Sequence, residues 1–430
     1  MNKDKLAKYF QFFLIVLAAG SIYPLIYLKS NYQETILAVF NMKMTDLNMM
    51  YTVLGWVFVI GYIPSGYLSD RFSAKKLLAI SLFFTGLGGL WFAQIPDTSM
   101  VPYIFAIWGF FSVFTFWSAH MKLVKLLANE NEQGTFFGIL DGGRGVVEAV
   151  LASIALLIFS TVLGGSLNVV DKRVALIAVI YMYSIVLIVT AALVMIFVTD
   201  DKKLLAKDVA KKEAVKSAKF RFSDLKVIFK NPKIYLHGGI VFMGYSVFWT
   251  VYYLGGFLES NVGVNAVTVA LVMVIVLWMR PVGGFIGGFL ADKIGKETVQ
   301  MGALAGAAIL LVLTALLPIS AGPMVFSVLM VALGIFLYAI RGTYWSLLGD
   351  YKIDALILGT AIGVISFFGY LPDIILPGFN SMLWNLFGPK GGYNAYFLSS
   401  AVLGLVGVVL VFIFGIMTKR DKAKAAQVAN

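Results

Sequence analysis

Gly66-Tyr-Leu-Ser-Asp70-Arg71-Phe-Ser-Ala-Lys75-Lys76 returns as Gly288-Phe-Leu-Ala-Asp292-Lys293-Ile-Gly-Lys296, with the glycine, the aspartate and the following base each displaced by 222 positions. Each copy closes one long apolar run and precedes the next. Glycine lets two helices approach closely, aspartate can face the positive N-terminus of another helix, and basic residues hold a turn on the cytoplasmic side of a membrane. The pattern is that of a duplicated membrane protein.

Composition agrees. Of 430 residues, 60% are hydrophobic and 13% charged, and the mean hydropathy is +0.89. A chain of this kind is polytopic rather than soluble. It has no cysteine, which excludes disulfides, thiolate zinc sites, iron–sulfur clusters and cysteine nucleophiles, and its two histidines argue against a histidine-rich metal site. The net charge of +12 is gathered in loops on one side: Lys3, Lys5 and Lys8 before the first apolar run, Arg71, Lys75 and Lys76 after the second, Lys202 to Lys233 midway, and Lys419 to Lys424 after the last. This positive-inside distribution places both termini in the cytoplasm and argues against nucleic acid as a partner.

Apolar runs of about 20 residues bounded by charges, Gly or Pro cover 9–40, 46–69, 76–95, 103–126, 134–162, 174–198, 234–258, 265–290, 298–317, 324–348, 355–378 and 394–418. The fold predicted is an all-α membrane protein with twelve transmembrane helices in two six-helix halves. Residues 1–199 form the N-terminal bundle, 200–233 a basic cytoplasmic linker and 234–430 the C-terminal bundle. The first run is polar in its outer half, where a break is expected. Its likeness to a signal peptide is set aside, because removing it would leave five spans against six.

A charge at the bilayer centre costs at least about 2.5–3.5 kcal/mol on insertion scales, so it needs a partner, a wet cavity or a function. Asp141, Arg144 and Glu148 share one face of the fifth run, and Arg144 lies about 15 Å in. Arg280 and Arg341 are about 18 Å and 13 Å from the inner boundary, with no acid one turn away in sequence. Three arginines from separate helices with few local acids suggest a water-filled cavity that receives an anion and leaves the guanidinium groups open to it. Gly142, Gly143 and Gly145 either make room for that ligand or serve close helix packing. Tyr245, Trp249, Tyr252 and Tyr253 on the seventh run are candidates to line the same cavity.

Two six-span halves with a basic linker and the duplicated turn resemble the major facilitator superfamily over the whole chain. That resemblance implies halves that rock about a central site to alternate access. Within the superfamily, Ile26-Tyr-Leu-Lys29-Ser-Asn31-Tyr32 is similar to a Tyr-x-x-Arg-x-Asn pattern of the organophosphate:phosphate antiporters, which puts Lys29 where that branch has a phosphate-binding arginine. Trp117-Ser-Ala-His-Met-Lys122 resembles its Trp-x4-Arg, again with lysine for arginine, and Glu132-Gln-Gly134 its Glu-Arg-Gly. Arg144 then falls at a membrane-embedded histidine near that branch's substrate. The branch's second phosphate arginine aligns with Met243, for which Arg280 is a candidate replacement. An arginine on the eighth span is also similar to the nitrate/nitrite branch, but its counterpart in the repeat is Phe58.

The expectation is a secondary active transporter of a small organic anion, organophosphate or carboxylate, in the cytoplasmic (inner) membrane. Substrate contacts are assigned to Arg144, Arg280, Arg341, Lys29, Tyr32, Lys122, Trp249 and Tyr253. Lys29 has a snorkelling interfacial lysine as its alternative, and Lys122 an interhelical contact. Glu148 and Asp141 are the proton-coupling candidates, with proton or inorganic phosphate as the coupling ion, while Gly66, Asp70, Arg71, Gly288, Asp292 and Lys293 carry the gate. No cofactor or metal is called for, and the chain is read as a monomer. A proton-coupled polyspecific drug exporter and a transporter-like anion receptor remain alternatives. An enzyme is not expected, since no His-Glu-x-x-His, Gly-x-Ser-x-Gly or Gly-x4-Gly-Lys-Ser/Thr occurs.

Overall fold

A computed structural model of the chain describes residues 3–128, 133–200, 230–350 and 358–429. Within them every regular element is helical. A bilayer offers no water to backbone N–H and C=O groups, so a spanning segment must satisfy them internally, as these helices do. The predicted linker core, 201–229, lies outside the described residues, as does Glu132.

The chain gathers into two compact units, Met1–Val215 with Val264–Trp278, and Lys216–Gly263 with Met279–Asn430. The first contains α1 (Lys3–Ile26), α2 (Lys29–Phe40), α3 (Met44–Arg71), α4 (Ala74–Phe92), α5 (Val101–Gly109), α6 (Trp117–Leu127), α7 (Gln133–Leu163) and α8 (Val169–Phe197). The second contains α9 (Pro232–Phe248), α10 (Val251–Phe257), α12 (Lys296–Leu316), α13 (Pro323–Thr343), α14 (Leu358–Gly369) and α15 (Pro372–Ala429), while α11 (Ala266–Ile294) contributes to both.

Local chemistry sets several boundaries. Asn168 and Asn231 accept from the backbone N–H groups of Val170 and Lys233, both at 3.0 Å, and so cap α8 and α9; Pro232 and Pro323 occupy first-turn positions where no N–H is needed. The break expected in the first run is present. Pro24 cannot donate to the helical ladder, α1 ends at Ile26, and α2 is itself kinked at Tyr32, with φ −134° and ψ 29°. The fourth span is two helices joined by a π turn, Phe110–Phe114, and the seventh closes on another, Leu258–Val262.

Eleven described helical stretches are long and apolar enough to cross a bilayer. The last, Val364–Asp421, has 58 residues, about 87 Å of helix against a hydrocarbon core of about 30 Å, and is broken at Gly388, where φ is 73°. It is therefore long enough for two spans, which brings the described stretches into line with the twelve expected from the sequence.

The duplication is visible in the geometry as well. At the end of α3 the Arg71 guanidinium lies 4.7 Å from the centre of the Tyr67 ring, and at the end of α11 the Lys293 ammonium lies 4.3 Å from that of Phe289. Each base folds back over the aromatic residue one turn before it. Among the described residues, a Cβ on Gly66 or Gly288 would meet nothing within 4 Å. The carboxylates of Asp70 and Asp292 lie outside the described side chains.

Candidate functional site

In the first unit the site starts where α1 breaks. The Ile26 carbonyl, near the end of α1, accepts the Tyr51 hydroxyl at 2.8 Å. That bond turns the Tyr51 ring under Lys29, whose ammonium is fully buried and 4.0 Å from the ring centre. A snorkelling lysine would carry its charge to water, so that alternative fails here. Tyr27 stacks on Tyr51 at 5.5 Å and Tyr23 follows at 6.4 Å, making an aromatic run from Lys29 toward Arg144.

Arg144 lies 4.8 Å from the centre of the Tyr23 ring, and its Nε donates to Glu148 Oε1 at 2.9 Å. The Arg144 guanidinium, expected to be open to an anion, is thus paired here, as in the internal salt-bridge ladder that is the alternative reading of Asp141, Arg144 and Glu148 on one helix face. Glu148 is one helical turn away on the buried face of α7, and leaving a guanidinium there without an anion would cost several kcal/mol. Asp141, predicted on the same face, is exposed. Close helix packing, one of the two roles considered for the glycines, holds at Gly143. A Cβ on Gly143 would stand 2.7 Å from Val16 Cγ1, and one on Gly20 2.5 Å from Val147 Cβ and 2.9 Å from the Arg144 carbonyl oxygen, so α1 and α7 interlock at the arginine. Gly142 faces open space. Tyr32, two per cent exposed, packs on Phe159 at 4.7 Å, and its buried hydroxyl has no hydrogen-bond partner among the described residues.

In the second unit, α11 and α13 pack through Gly283 and Gly287. A Cβ on the first would stand 2.4 Å from the Ile335 carbonyl oxygen, and one on the second 3.4 Å from Ala339 Cα. This seam places half-buried Arg280 just before Gly283 and half-buried Arg341 just before Gly342, which approaches Gly284. The end of α13 is held by a Thr343 to Gln300 hydrogen bond and by His237 Nε2, 2.8 Å from the Tyr344 carbonyl oxygen. The Arg341 guanidinium lies 4.7 Å from the centre of the Phe248 ring and 6.0 Å from that of Tyr245.

Asp373 was not singled out in the sequence. It is three per cent exposed, in the first turn of α15, and its Oδ1 accepts two hydrogen bonds: from the Tyr245 hydroxyl of α9 at 2.8 Å and from the indole N–H of Trp249, the residue after α9, at 2.9 Å. Trp249, predicted to touch substrate, is fully buried and holds this carboxylate. Tyr253 is fully buried too, 4.8 Å from Tyr396 and 6.3 Å from Trp384 in an aromatic cluster.

Lys122 sits apart from both groups. Its ammonium donates to the Ser69 carbonyl at 2.6 Å, while the Ser118 N–H donates to Ser65 Oγ at 3.1 Å, so matching positions one turn apart tie α6 to the end of α3. This is the interhelical role considered for it. No cluster of potential metal ligands occurs among the described residues.

The Major Facilitator Superfamily model matches residues 9–377. The chain is 26% identical over 434 residues to the inner membrane protein YqcE of Escherichia coli (strain K12), covering 99% of both. A bacterial homologue of the human lysosomal transporter Spinster shares the fold, with a TM-score of 0.75 at 12% identity and coverage of 98% of this chain and 99% of the other. A short stretch of 38 residues, 9% of this chain and 8% of the relative, is 42% identical to the probable galactarate/D-glucarate transporter GudP of Bacillus subtilis (strain 168).

Proposed function

Because the chain belongs to the major facilitator superfamily of membrane transporters, we propose that it is a secondary active carrier of a small organic anion. The observation that carries this reading is the setting of its embedded cations. Lys29, Arg144 and Arg341 each lie against an aromatic ring within membrane-spanning segments. A cation held by a ring quadrupole keeps much of its attraction for an anion, because the ring supplies partial stabilisation without a competing full charge. Where an acid is present, as with Glu148 on Arg144, it serves as the counter-ion an incoming carboxylate or phosphate replaces.

A cationic drug exporter would present acids facing a wide apolar cavity, whereas the cations here are the groups set against aromatic surfaces. Among anions, the local similarity to a galactarate/D-glucarate transporter favours carboxylates as the first class to try. The driving force is an ion or substrate gradient, as the sequence carries no Gly-x4-Gly-Lys-Ser/Thr phosphate loop. The distribution of Lys and Arg supports a reading in which both termini face the cytoplasm.

Purified protein screened by thermal shift against sugar acids, sugar phosphates, small carboxylates and inorganic anions tests the reading, since a ligand that binds the folded state stabilises it. The hit is then followed as radiolabelled uptake into proteoliposomes. Stabilisation by an anion together with its uptake supports the carrier. Stabilisation by hydrophobic cations alone would overturn it in favour of the exporter, and binding with no uptake would make the protein a receptor.

A further inference from the structure

The fourth span departs from regular helix beside the ring on which Arg144 rests. Between α5 and α6 the chain makes a π turn, Phe110–Phe114, and side-chain hydroxyls reach two of its carbonyl groups. The Phe111 carbonyl accepts from Thr115 Oγ1 at 3.2 Å, and the Ser112 carbonyl accepts from the Tyr23 hydroxyl of α1, also at 3.2 Å. A π turn interrupts the regular helical ladder, so carbonyl groups there need donors from elsewhere, and such turns gather at functional sites. We propose that Tyr23 is a positioning residue for Arg144, its hydroxyl anchored on the Ser112 carbonyl so that the ring face holds the guanidinium in one orientation. The inference rests on the anion-carrier reading and adds to it the part that aims one of the embedded cations.

The ring is braced from several directions. Phe58 of α3 and Phe116, the residue before α6, meet it edge-on at 89° and 85°, with ring centres 6.5 Å and 6.4 Å away. Edge contacts at that separation let a ring slide and tilt, whereas a hydrogen bond is directional and sets where the face points. That face carries the Arg144 guanidinium, 4.8 Å from the ring centre. Gly20, one turn before Tyr23, is where α1 comes against Val147 and the Arg144 carbonyl oxygen. Backbone seam and ring therefore reach the arginine from the same side of α1.

Orientation matters because a guanidinium recognises a carboxylate or phosphate through paired, parallel N–H donors in a fixed plane. Glu148 Oε1 takes the Nε end at 2.9 Å, and the Tyr23 ring sets the plane. An anion that replaces Glu148 would meet a plane still held in place, since the ring is neutral and stays when the acid leaves. Restraining a long side chain beforehand also lowers the ordering cost that binding must meet.

Phenylglyoxal modification of arginine, followed by mass spectrometry of the peptides carrying Arg144 and Arg341, reads the restraint in the purified protein without any anion. Tyr23→Phe keeps the ring and removes the hydroxyl, while Tyr23→Leu removes the ring. Arg144 is expected to react about threefold faster or more in Tyr23→Phe, the weight of one hydrogen bond, and faster still in Tyr23→Leu, with Arg341 reacting as in the parent. Tyr27→Phe, the next tyrosine in the aromatic run, is the control and is expected to match the parent at both arginines. Arg144 reacting at the parent rate in both Tyr23 variants, or Arg341 accelerating by the same factor as Arg144, would overturn the proposal. Should Tyr23→Phe fail to fold, Phe116→Leu removes one of the rings that brace Tyr23; a faster Arg144 supports the assignment and an unchanged one refutes it.

Affinity supplies a second readout, by calorimetry with D-glucarate and with inorganic phosphate as probes. Tyr23→Phe is expected to weaken Kd by about threefold or more, and to cause no further loss in an Arg144→Lys background, where the charge remains but the planar fork is gone. A loss of equal size in both backgrounds would show that Tyr23 does not act through Arg144. A parent that binds neither probe would count against the carrier reading alone, and the modification rates would still decide the role of Tyr23.

Discussion

Adding a single methyl group at Gly20 tests the interlock that holds Arg144. The new Cβ would fall 2.5 Å from Val147 Cβ, 2.6 Å from Val147 Cγ1 and 2.9 Å from the Arg144 carbonyl oxygen. Carbon pairs settle at about 3.5–4.0 Å, so α1 and α7 must separate by about 1 Å at this level, and one of the obstructing atoms belongs to the backbone. Overpacking of this kind costs about 1–3 kcal/mol, offset by about 1 kcal/mol because alanine is the better helix former. Gly142→Ala is the internal control, since its Cβ would meet nothing within 4 Å. The control is expected to melt at or above the parent temperature, and Gly20→Ala below it, with about 1–3 kcal/mol between the two variants. Thermal unfolding in detergent, followed by intrinsic fluorescence, reads the difference, and uptake in proteoliposomes reports whether Arg144 is displaced. If Gly20→Ala melts as high as Gly142→Ala and transports as well as the parent, the glycine is not what seats α1 against the arginine.

Glu148→Gln removes an acid that competes for Arg144, so calorimetric affinity for the transported anion is expected to tighten several-fold; unchanged or weaker binding would show that Glu148 does not compete. Lys122→Met abolishes the bond to the Ser69 carbonyl, and uptake is expected to slow while the anion Kd stays within about twofold of the parent's. A Kd raised by tenfold would return Lys122 to the substrate site. Tyr253→Ala empties part of a packed aromatic cluster at about 3–5 kcal/mol, so a large fall in melting temperature with unaltered anion affinity in the surviving protein is expected, and the opposite pattern would place the ring at the ligand. Gly66→Ala and Gly288→Ala have free space for the methyl group and are expected to leave the melting temperature unchanged or higher. Slowed uptake in these variants would show that the turns come close to another helix during the cycle, and full-speed uptake would remove the glycines from gating.

The spans were legible because apolar length, charge placement and a 222-residue repeat all point the same way. The break after α1 could be anticipated from the polar outer half of the first run. Asp373 has no partner close by in sequence to mark it: the side chains that hold its carboxylate, Tyr245 and Trp249, lie more than a hundred residues earlier. The sign was nonetheless present: an ionisable residue inside an apolar run is a functional candidate by default, and Tyr370-Leu-Pro-Asp373 meets that description. Helix faces were harder. Neighbouring glycines at 142 and 143 read alike in sequence, but a rotation of about 100° turns one to open space and the other onto Val16. The same uncertainty applied to Asp141 and Glu148, of which only the second turns inward with Arg144.

Where Arg280 stands on α11, its counterpart on α3 is Phe58, which packs edge-on against Tyr23, while the ring-backed base at the foot of both helices has been retained. The two copies thus keep a ring-backed base at the repeated turn and differ at an embedded position. Residues embedded in one copy can change while the matched turns stay as they are. Laboratory evolution toward a new cargo would accordingly begin at positions that differ between the repeats and leave the matched ones alone.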